Sequence, residues 1–266
     1  MKGLTVGIIG CGNMGGAIAR GMVEKGILKG NAIFLHDKDI EKAAALAKET
    51  GARQEELSAL VSGCGLVIIA VKPQDSEILL KSISGDIAGQ TIVSVMAGIR
   101  IDAITDILGK DVPVARAMPN MAAFAGESIT SISYNNTVRM TGEINSIFGG
   151  IGMVLEVDEV FLDSATALSG SGPAYLFYLA QAMIDAGKEM GLNEDVAKKL
   201  VTQTLYGSAV LMKDTESSPE ELIRKVASKG GTTEAALSVF DREDLRSAIK
   251  TAIREAKKRS EELSQR

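Results

Sequence analysis

The 266-residue sequence contains one histidine, His36, two cysteines, Cys11 and Cys64, and no tryptophan. Each scarcity removes a class of chemistry. One histidine cannot supply an HExxH zinc site and there is no CxxC pair, so metal-dependent and Ser-His hydrolytic mechanisms have almost no side chains to use. Two cysteines make no disulfide framework; both read as small buried residues, with a redox-sensitive thiol as the alternative for Cys11. A formal charge of −5 and an aromatic content of 4% offer neither the basic field nor the stacking surfaces of a nucleic-acid binder. Apolar runs such as residues 66–71 fall far short of the roughly 20 residues that a membrane-spanning helix needs. No signal-peptide pattern precedes the first strand, so a cytoplasmic protein without a membrane partner is expected. The chemistry must therefore come from a cofactor.

What is present is ordinary in bulk, 45% hydrophobic and 24% charged, and long enough for two domains. Its organising stretch is TVGIIGCGNMG, from Thr5 to Gly15. Val6, Ile8 and Ile9 suit a strand buried on both faces, and Met14, Ala17, Ile18, Gly21 and Met22 recur at helical intervals. Gly10, Gly12 and Gly15 therefore sit between a strand and a helix with G-x-G-x-x-G spacing. In that setting Gly10 permits the turn, Gly12 admits a pyrophosphate, and Gly15 lets helix and strand approach. The backbone from Gly10 through Cys11, Gly12, Asn13 and Met14 to Gly15 is the candidate phosphate cradle. Alone, the spacing is a weak signal in a chain with 28 glycines, and a structural Gly-rich turn is the plainer alternative.

A second strand over residues 32–35 ends at His36-Asp37-Lys38. Asp37 lies 22 residues after Gly15, the spacing of an acid that binds the adenosine ribose of NAD. Lys38, next to it, would instead pair with the 2′-phosphate of NADP. A helix cap is the alternative for Asp37. A helix over 40–50 should close at Gly51. Another doubly buried strand, 66–71, runs through Ala70 and Val71 into Lys72-Pro73-Gln74, at the sheet edge where open α/β folds place ligands. Lys72 is either a ligand contact or an exposed strand-end lysine. The strand over 91–95 ends in Met96-Ala97-Gly98, small enough to lie against a nicotinamide ring, and one over 112–117 ends in Met118-Pro119-Asn120.

These alternations predict an α/β architecture: a mostly parallel, Rossmann-type sheet over residues 1–158, followed by an all-helical domain over 159–266. Helices are expected at 159–168, 173–190, 194–212, 219–226 and from 233 into the charged tail. The helix after Ser169-Gly170-Ser171-Gly172-Pro173-Ala174-Tyr175 is apolar nearly all round, which calls for cover by a second subunit or, alternatively, by a monomer's own core. Near the end, Ser228-Lys229-Gly230-Gly231-Thr232-Thr233 precedes a helix. Its backbone donors and hydroxyls would form a cup for a carboxylate, with a plain helix cap as the alternative.

Gly10 to Gly15, Val71-Lys72-Pro73-Gln74, Arg116-Ala117-Met118-Pro119-Asn120, Leu168 to Tyr175 and Gly230-Gly231-Thr232-Thr233 occur in the order and spacing of the pyrroline-5-carboxylate reductases, and the whole chain resembles that family. The resemblance implies reduction of a small-molecule substrate, L-1-pyrroline-5-carboxylate, to L-proline with NADP(H), NAD(H) being the alternative coenzyme. It implies cofactor contacts at Gly10, Cys11, Gly12, Asn13, Met14, Gly15, Asp37, Lys38, Ala70, Val71, Lys72, Pro73, Ala97, Gly98 and Asn120. Substrate contacts would come from Glu159, Ser228, Gly231, Thr232 and Thr233, with the Thr233 hydroxyl as donor near the ring nitrogen. It further implies a homodimer through the helical domain, and larger rings of dimers occur in the family. The chain departs from the family pattern at Lys229, where proline is usual, at Gly65, at Leu57 and Ser58, and at Asp37. A reductase of a related cyclic imine or 2-oxo acid is the enzymatic rival. A non-catalytic NAD(P)-sensing dimer is the other.

Overall fold

Apolar runs become strands here because helices cover both faces of the sheet they join. The computed structural model describes residues 3–264. Its strands are β1 (Val6–Ile9), β2 (Ile33–His36), β3 (Arg53–Gln54), β4 (Leu66–Ile69), β5 (Thr91–Ser94), β6 (Val114–Met118), β7 (Ser128–Tyr134) and β8 (Gly152–Glu156). They form one sheet in the order 3-2-1-4-5-6-7-8, and every pair is parallel except β6–β7. The connecting helices are α1 (Asn13–Glu24), α2 (Ile40–Thr50), α3 (Leu57–Gly63), α4 (Ser76–Ile83), α5 (Ile101–Leu108) and α6 (Thr141–Gly149). Strand alternation sends Ile8 into one apolar layer with Ile18 of α1, Leu46 of α2 and Phe148 of α6. Its neighbour Ile9 enters the opposite layer with Leu60 of α3, Leu80 of α4 and Ile104 of α5.

The order reverses between β1 and β4, which leave the sheet in register, Ile9 opposite Ile69. This switch point is the crevice where open α/β sheets bind ligands. The mostly parallel sheet expected from the sequence is present, and α2 has the expected bounds, with Asp39 accepting from the Lys42 amide at its start and Gly51 left-handed at its end. Three strands differ from expectation: β7, β8 and the two-residue β3 are additional, and β7 carries buried Ser128, Thr130, Ser131 and Ser133 instead of an apolar run. Its backbone is paired by β6 and β8 on both sides and the Ser128 hydroxyl accepts the Asn120 amide, while the buried Thr130 hydroxyl has no partner among the described residues.

After the sheet the chain becomes helical: α7 (Leu162–Ala165), α8 (Gly172–Glu189), α9 (Glu194–Asp214), α10 (Pro219–Val226), α11 (Thr232–Arg242) and α12 (Leu245–Ser264). The single helix expected over 159–168 is instead a tight turn at Glu159–Phe161, the one turn of α7, and a wide turn at Thr166–Gly170 in which the Ser171 amide donates to the Thr166 carbonyl at 2.9 Å. The expected continuous tail helix is broken at Asp244, whose φ of +50° separates α11 from α12. Sheet strands end at Glu156, near the expected boundary, yet the first compact unit runs on to Ser171 and takes in the chain from Ala256 onward. The second unit is Gly172–Glu255. No helix among the described residues is long and apolar enough to cross a membrane.

Candidate active site

The glycine turn lies in the first unit, at the carboxyl end of β1. Gly10 takes φ +103°, and a Cβ there would lie 2.6 Å from the Ala70 carbonyl oxygen. A Cβ on Gly15 would lie 1.9 Å from the Gly10 oxygen. Neither position tolerates a side chain. Gly12 differs: a Cβ there meets no protein atom within 4 Å, so nothing inside the chain requires glycine. Gly12 is the N-cap of α1, whose start has no side-chain cap and no acid in its first turn. Unpaired amides, the positive end of a helix dipole and an open approach over Gly12 are what a pyrophosphate needs, and the turn fits one.

Beside the turn lies a cavity of about 540 Å³ lined by Gly10, Gly12, His36, Asp37, Lys38, Ala70, Val71 and Lys72. Asp37 does more than wait for a ribose. One carboxylate oxygen accepts from the Cys11 amide at 2.7 Å and the other from the Asp39 amide at 2.8 Å, so it ties the end of β2 to the glycine turn. The cap of α2 is Asp39, not Asp37. Cys11 is buried, and burial, with Asp37 beside it, pushes its thiol up to about 12, so it is no reactive thiolate. His36 Nδ1 lies 3.1 Å from the Glu55 carbonyl, to which it donates in the tautomer protonated at Nδ1. Lys38 reaches Asp75 at 3.2 Å across solvent. Leu57, where the chain departs from the family pattern, also lines the cavity, and Lys42, Asp75, Ile78 and Leu79 line it without a signal in the sequence, because they come from elements whose facing depends on the crossovers.

Pro73 opens the short turn Pro73–Asp75 after Lys72. Ala97 and Gly98 follow β5 at the same sheet edge, Gly98 with φ +77°. Asn120 is buried and fully engaged: its Nδ2 donates to the Ser169 carbonyl at 3.0 Å and its Oδ1 accepts from the Ala122 amide at 3.0 Å. It joins the end of β6 to the wide turn. Glu159 accepts the Ile101 amide at 2.8 Å and lies 3.5 Å from Arg116 Nη1. Glu159, expected beside a substrate, is here engaged at the start of α5.

In the second unit, Ser228, Gly231, Thr232 and Thr233 are brought together by a turn. Gly230 is left-handed, and the Gly231 amide donates to the Ser228 carbonyl at 3.0 Å. Gly231 is the N-cap of α11 without a side-chain cap, and a Cβ there would lie 2.6 Å from Ser228 Oγ. The start of α11, at Thr232 and Thr233, so offers backbone amides of the kind that suit a carboxylate. Glu234, the acid in the first turn of α11, reaches back and accepts the Gly230 amide at 2.6 Å.

The family model described as pyrroline-5-carboxylate reductase dimerisation matches residues 159–263, and that described as NADP oxidoreductase, coenzyme F420-dependent, matches residues 5–98. The pyrroline-5-carboxylate reductase of Staphylococcus haemolyticus is 33% identical over 260 residues, 96% of each chain. The chain belongs to the pyrroline-5-carboxylate reductase family. Among solved pyrroline-5-carboxylate reductases, that of Coxiella burnetii superposes with a TM-score of 0.91 at 30% identity over 98% of each chain. That of Plasmodium falciparum, solved with NADP bound, gives 0.91 at 27% identity over 99% of each. Of the residues expected at the cofactor site, Gly10, Gly12, Asp37, Lys38, Ala70, Val71 and Lys72 line one cavity. Cys11, Asn13, Met14, Gly15, Pro73, Ala97, Gly98 and Asn120 lie outside its lining.

Proposed function

We propose that this chain reduces the cyclic imine L-1-pyrroline-5-carboxylate to L-proline with NADPH. One observation carries the reading: identity to pyrroline-5-carboxylate reductases runs through both units, and it is supported by the helix starts at Gly12 and Gly231, neither of which has a side-chain cap. NADPH supplies the hydride when bound. The amides at the start of α1 and the opening over Gly12 hold its pyrophosphate, and Asp37 orients the glycine turn. Lys38 and Lys42 at the cavity mouth favour a ribose 2′-phosphate; NADH is the alternative that Asp37 would favour. Small backbone at Ala97 and Gly98 gives the nicotinamide a flat neighbour.

An iminium accepts hydride readily, so the side chains need to position and protonate rather than activate. The amides at Thr232 and Thr233 and the Ser228 hydroxyl hold the substrate carboxylate. The Thr233 hydroxyl donates to the ring nitrogen; threonine is a poor acid, so it orients the nitrogen or relays a proton through water. Residues 159–266 serve as the dimerisation domain of a homodimer, in the cytoplasm. Rings of such dimers are a further step of the same reading.

The test is coenzyme oxidation at 340 nm with pyrroline-5-carboxylate, NADPH and NADH in parallel, with proline identified as product. Faster turnover with NADPH is expected. If both coenzymes bind and neither is oxidised, the substrate is another imine or a 2-oxo acid. Thr233→Ala should lower kcat by about 10²-fold while leaving NADPH affinity within about twofold; unchanged turnover removes Thr233 from the mechanism.

A further inference from the structure

Behind the coenzyme edge of the sheet lies a buried charged cluster. Arg116, on β6 and only 2% exposed, places Nη1 3.5 Å from Glu159 and Nη2 3.4 Å from Asp163. Burying such a group costs solvation that ion pairing alone rarely returns. The cluster does not end with the charges. Asp163 Oδ1 also accepts from Ser260 Oγ at 2.7 Å and from Ser264 Oγ at 3.4 Å, both on the last turns of α12. Glu159 accepts the Ile101 amide at 2.8 Å, where α5 begins.

The two arms return to one place, the loop of residues 95–100 that carries Ala97 and Gly98. Its far end is fixed by the Ile101 amide on Glu159. Its middle is fixed by the closing turns of α12: a Cβ on Gly98 would lie 3.0 Å from Leu263 Cβ, 3.1 Å from the Leu263 carbonyl carbon and 3.3 Å from the Ser264 amide nitrogen. Glycine at φ +77° is what lets the helix seat there. The loop is thereby clamped between residues 58 and about 165 positions away in sequence, with Arg116 joining the clamps.

We propose that Ser260, Asp163 and Glu159, joined through Arg116, are positioning residues for hydride transfer: they hold the Ala97-Gly98 backbone at the height the nicotinamide requires. This rests on the reading of Ala97 and Gly98 as the nicotinamide's neighbours. The end of α12 is then the back wall of the coenzyme site and not a trailing helix.

The test uses the full-length protein with Ser260→Ala, Asp163→Asn and the hydroxyl-retaining Ser260→Thr. Amide hydrogen exchange of the coenzyme-free protein over residues 95–101 is read beside the melting curve. NADPH affinity, kcat, and the primary isotope effect with NADPH deuterated at the transferred position complete the set. Losing a hydrogen bond to a charged group should raise exchange at Ile101 and lower kcat by about tenfold each. NADPH affinity should stay within about twofold, the isotope effect should grow, and Ser260→Thr should restore all of these. Lower melting temperature with unchanged loop exchange, or faster exchange with unchanged kcat and isotope effect, would overturn the proposal. If the unaltered protein does not oxidise NADPH with pyrroline-5-carboxylate, the functional reading fails, and the exchange arm still decides whether the clamp exists.

Discussion

The two units of this chain solve the burial problem in opposite ways. The sheet unit buries Ile8, Ile18, Ile68, Leu80 and Phe148 completely, in two layers of its own. Among the described residues of the helical unit only Gly187, Ala197 and Val201 are buried. Meanwhile Phe177 is 62% exposed and Tyr178 82% on α8, and Tyr206 and Leu211 are exposed on α9. The Gly187–Ala197 approach, at 3.1 Å for an added Cβ, joins α8 to α9 but encloses almost nothing. A helix that is apolar all round and uncovered by its own chain is written for another chain's surface. The sheet unit is a self-sufficient scaffold, and the helical unit is half of an interface.

The comparison breaks most easily at α8. Phe177→Asp places a charge where a second copy would cover it, which should cost several kcal/mol of association and turn dimers into monomers. The same change at Ile40, 67% exposed on α2 of the sheet unit, should move stability by no more than about 0.5 kcal/mol. Sedimentation and melting of the two variants check this, and equal effects would erase the distinction.

Gly12→Ala sharpens the scaffold half. Because a Cβ at Gly12 meets no protein atom, the fold should melt within a few degrees of the unaltered protein. NADPH affinity, followed by fluorescence titration, should fall by about tenfold or more as the pyrophosphate loses its approach. A large drop in melting temperature with normal affinity would show that the turn is structural only.

The smallest effect is an alkaline one, and it lies in the sheet unit. Burial, with Asp37, raises Cys11 from 9.0 to about 12; burial, with Glu55, raises Cys64 from 9.0 to about 11; burial, with Glu156, raises Tyr134 from 10.0 to about 12. Each unfolded group ionises before its folded counterpart. The stability they favour is therefore complete below about pH 9 and is lost as pH rises through 11 to 12. Denaturant melts between pH 8 and 11 should show the decline, and Cys11→Ala should flatten it.

Local pattern made much of this molecule legible. β1, β4 and α2 follow from apolar runs, an N-cap and a left-handed glycine within a few residues of each other. β7 was illegible because its buried positions are mostly serine and threonine, and its backbone pairs with strands that a local window does not contain. The same holds in the site. Gly10, Gly12 and Gly15 announce themselves by spacing, and Thr233 by its turn. Asp37 holds an amide 26 positions away, and Glu159 one 58 away. Ser260 reaches Asp163 across 97 positions, and neither residue type nor spacing marks that pair in the sequence.

The most direct measurement is the mass of the catalytically active species by active-enzyme sedimentation, with NADPH oxidation as the optical signal. The account predicts turnover sedimenting at twice 27.9 kDa or an even multiple of it, with none at the monomer. Full turnover carried by a 27.9 kDa monomer would contradict it.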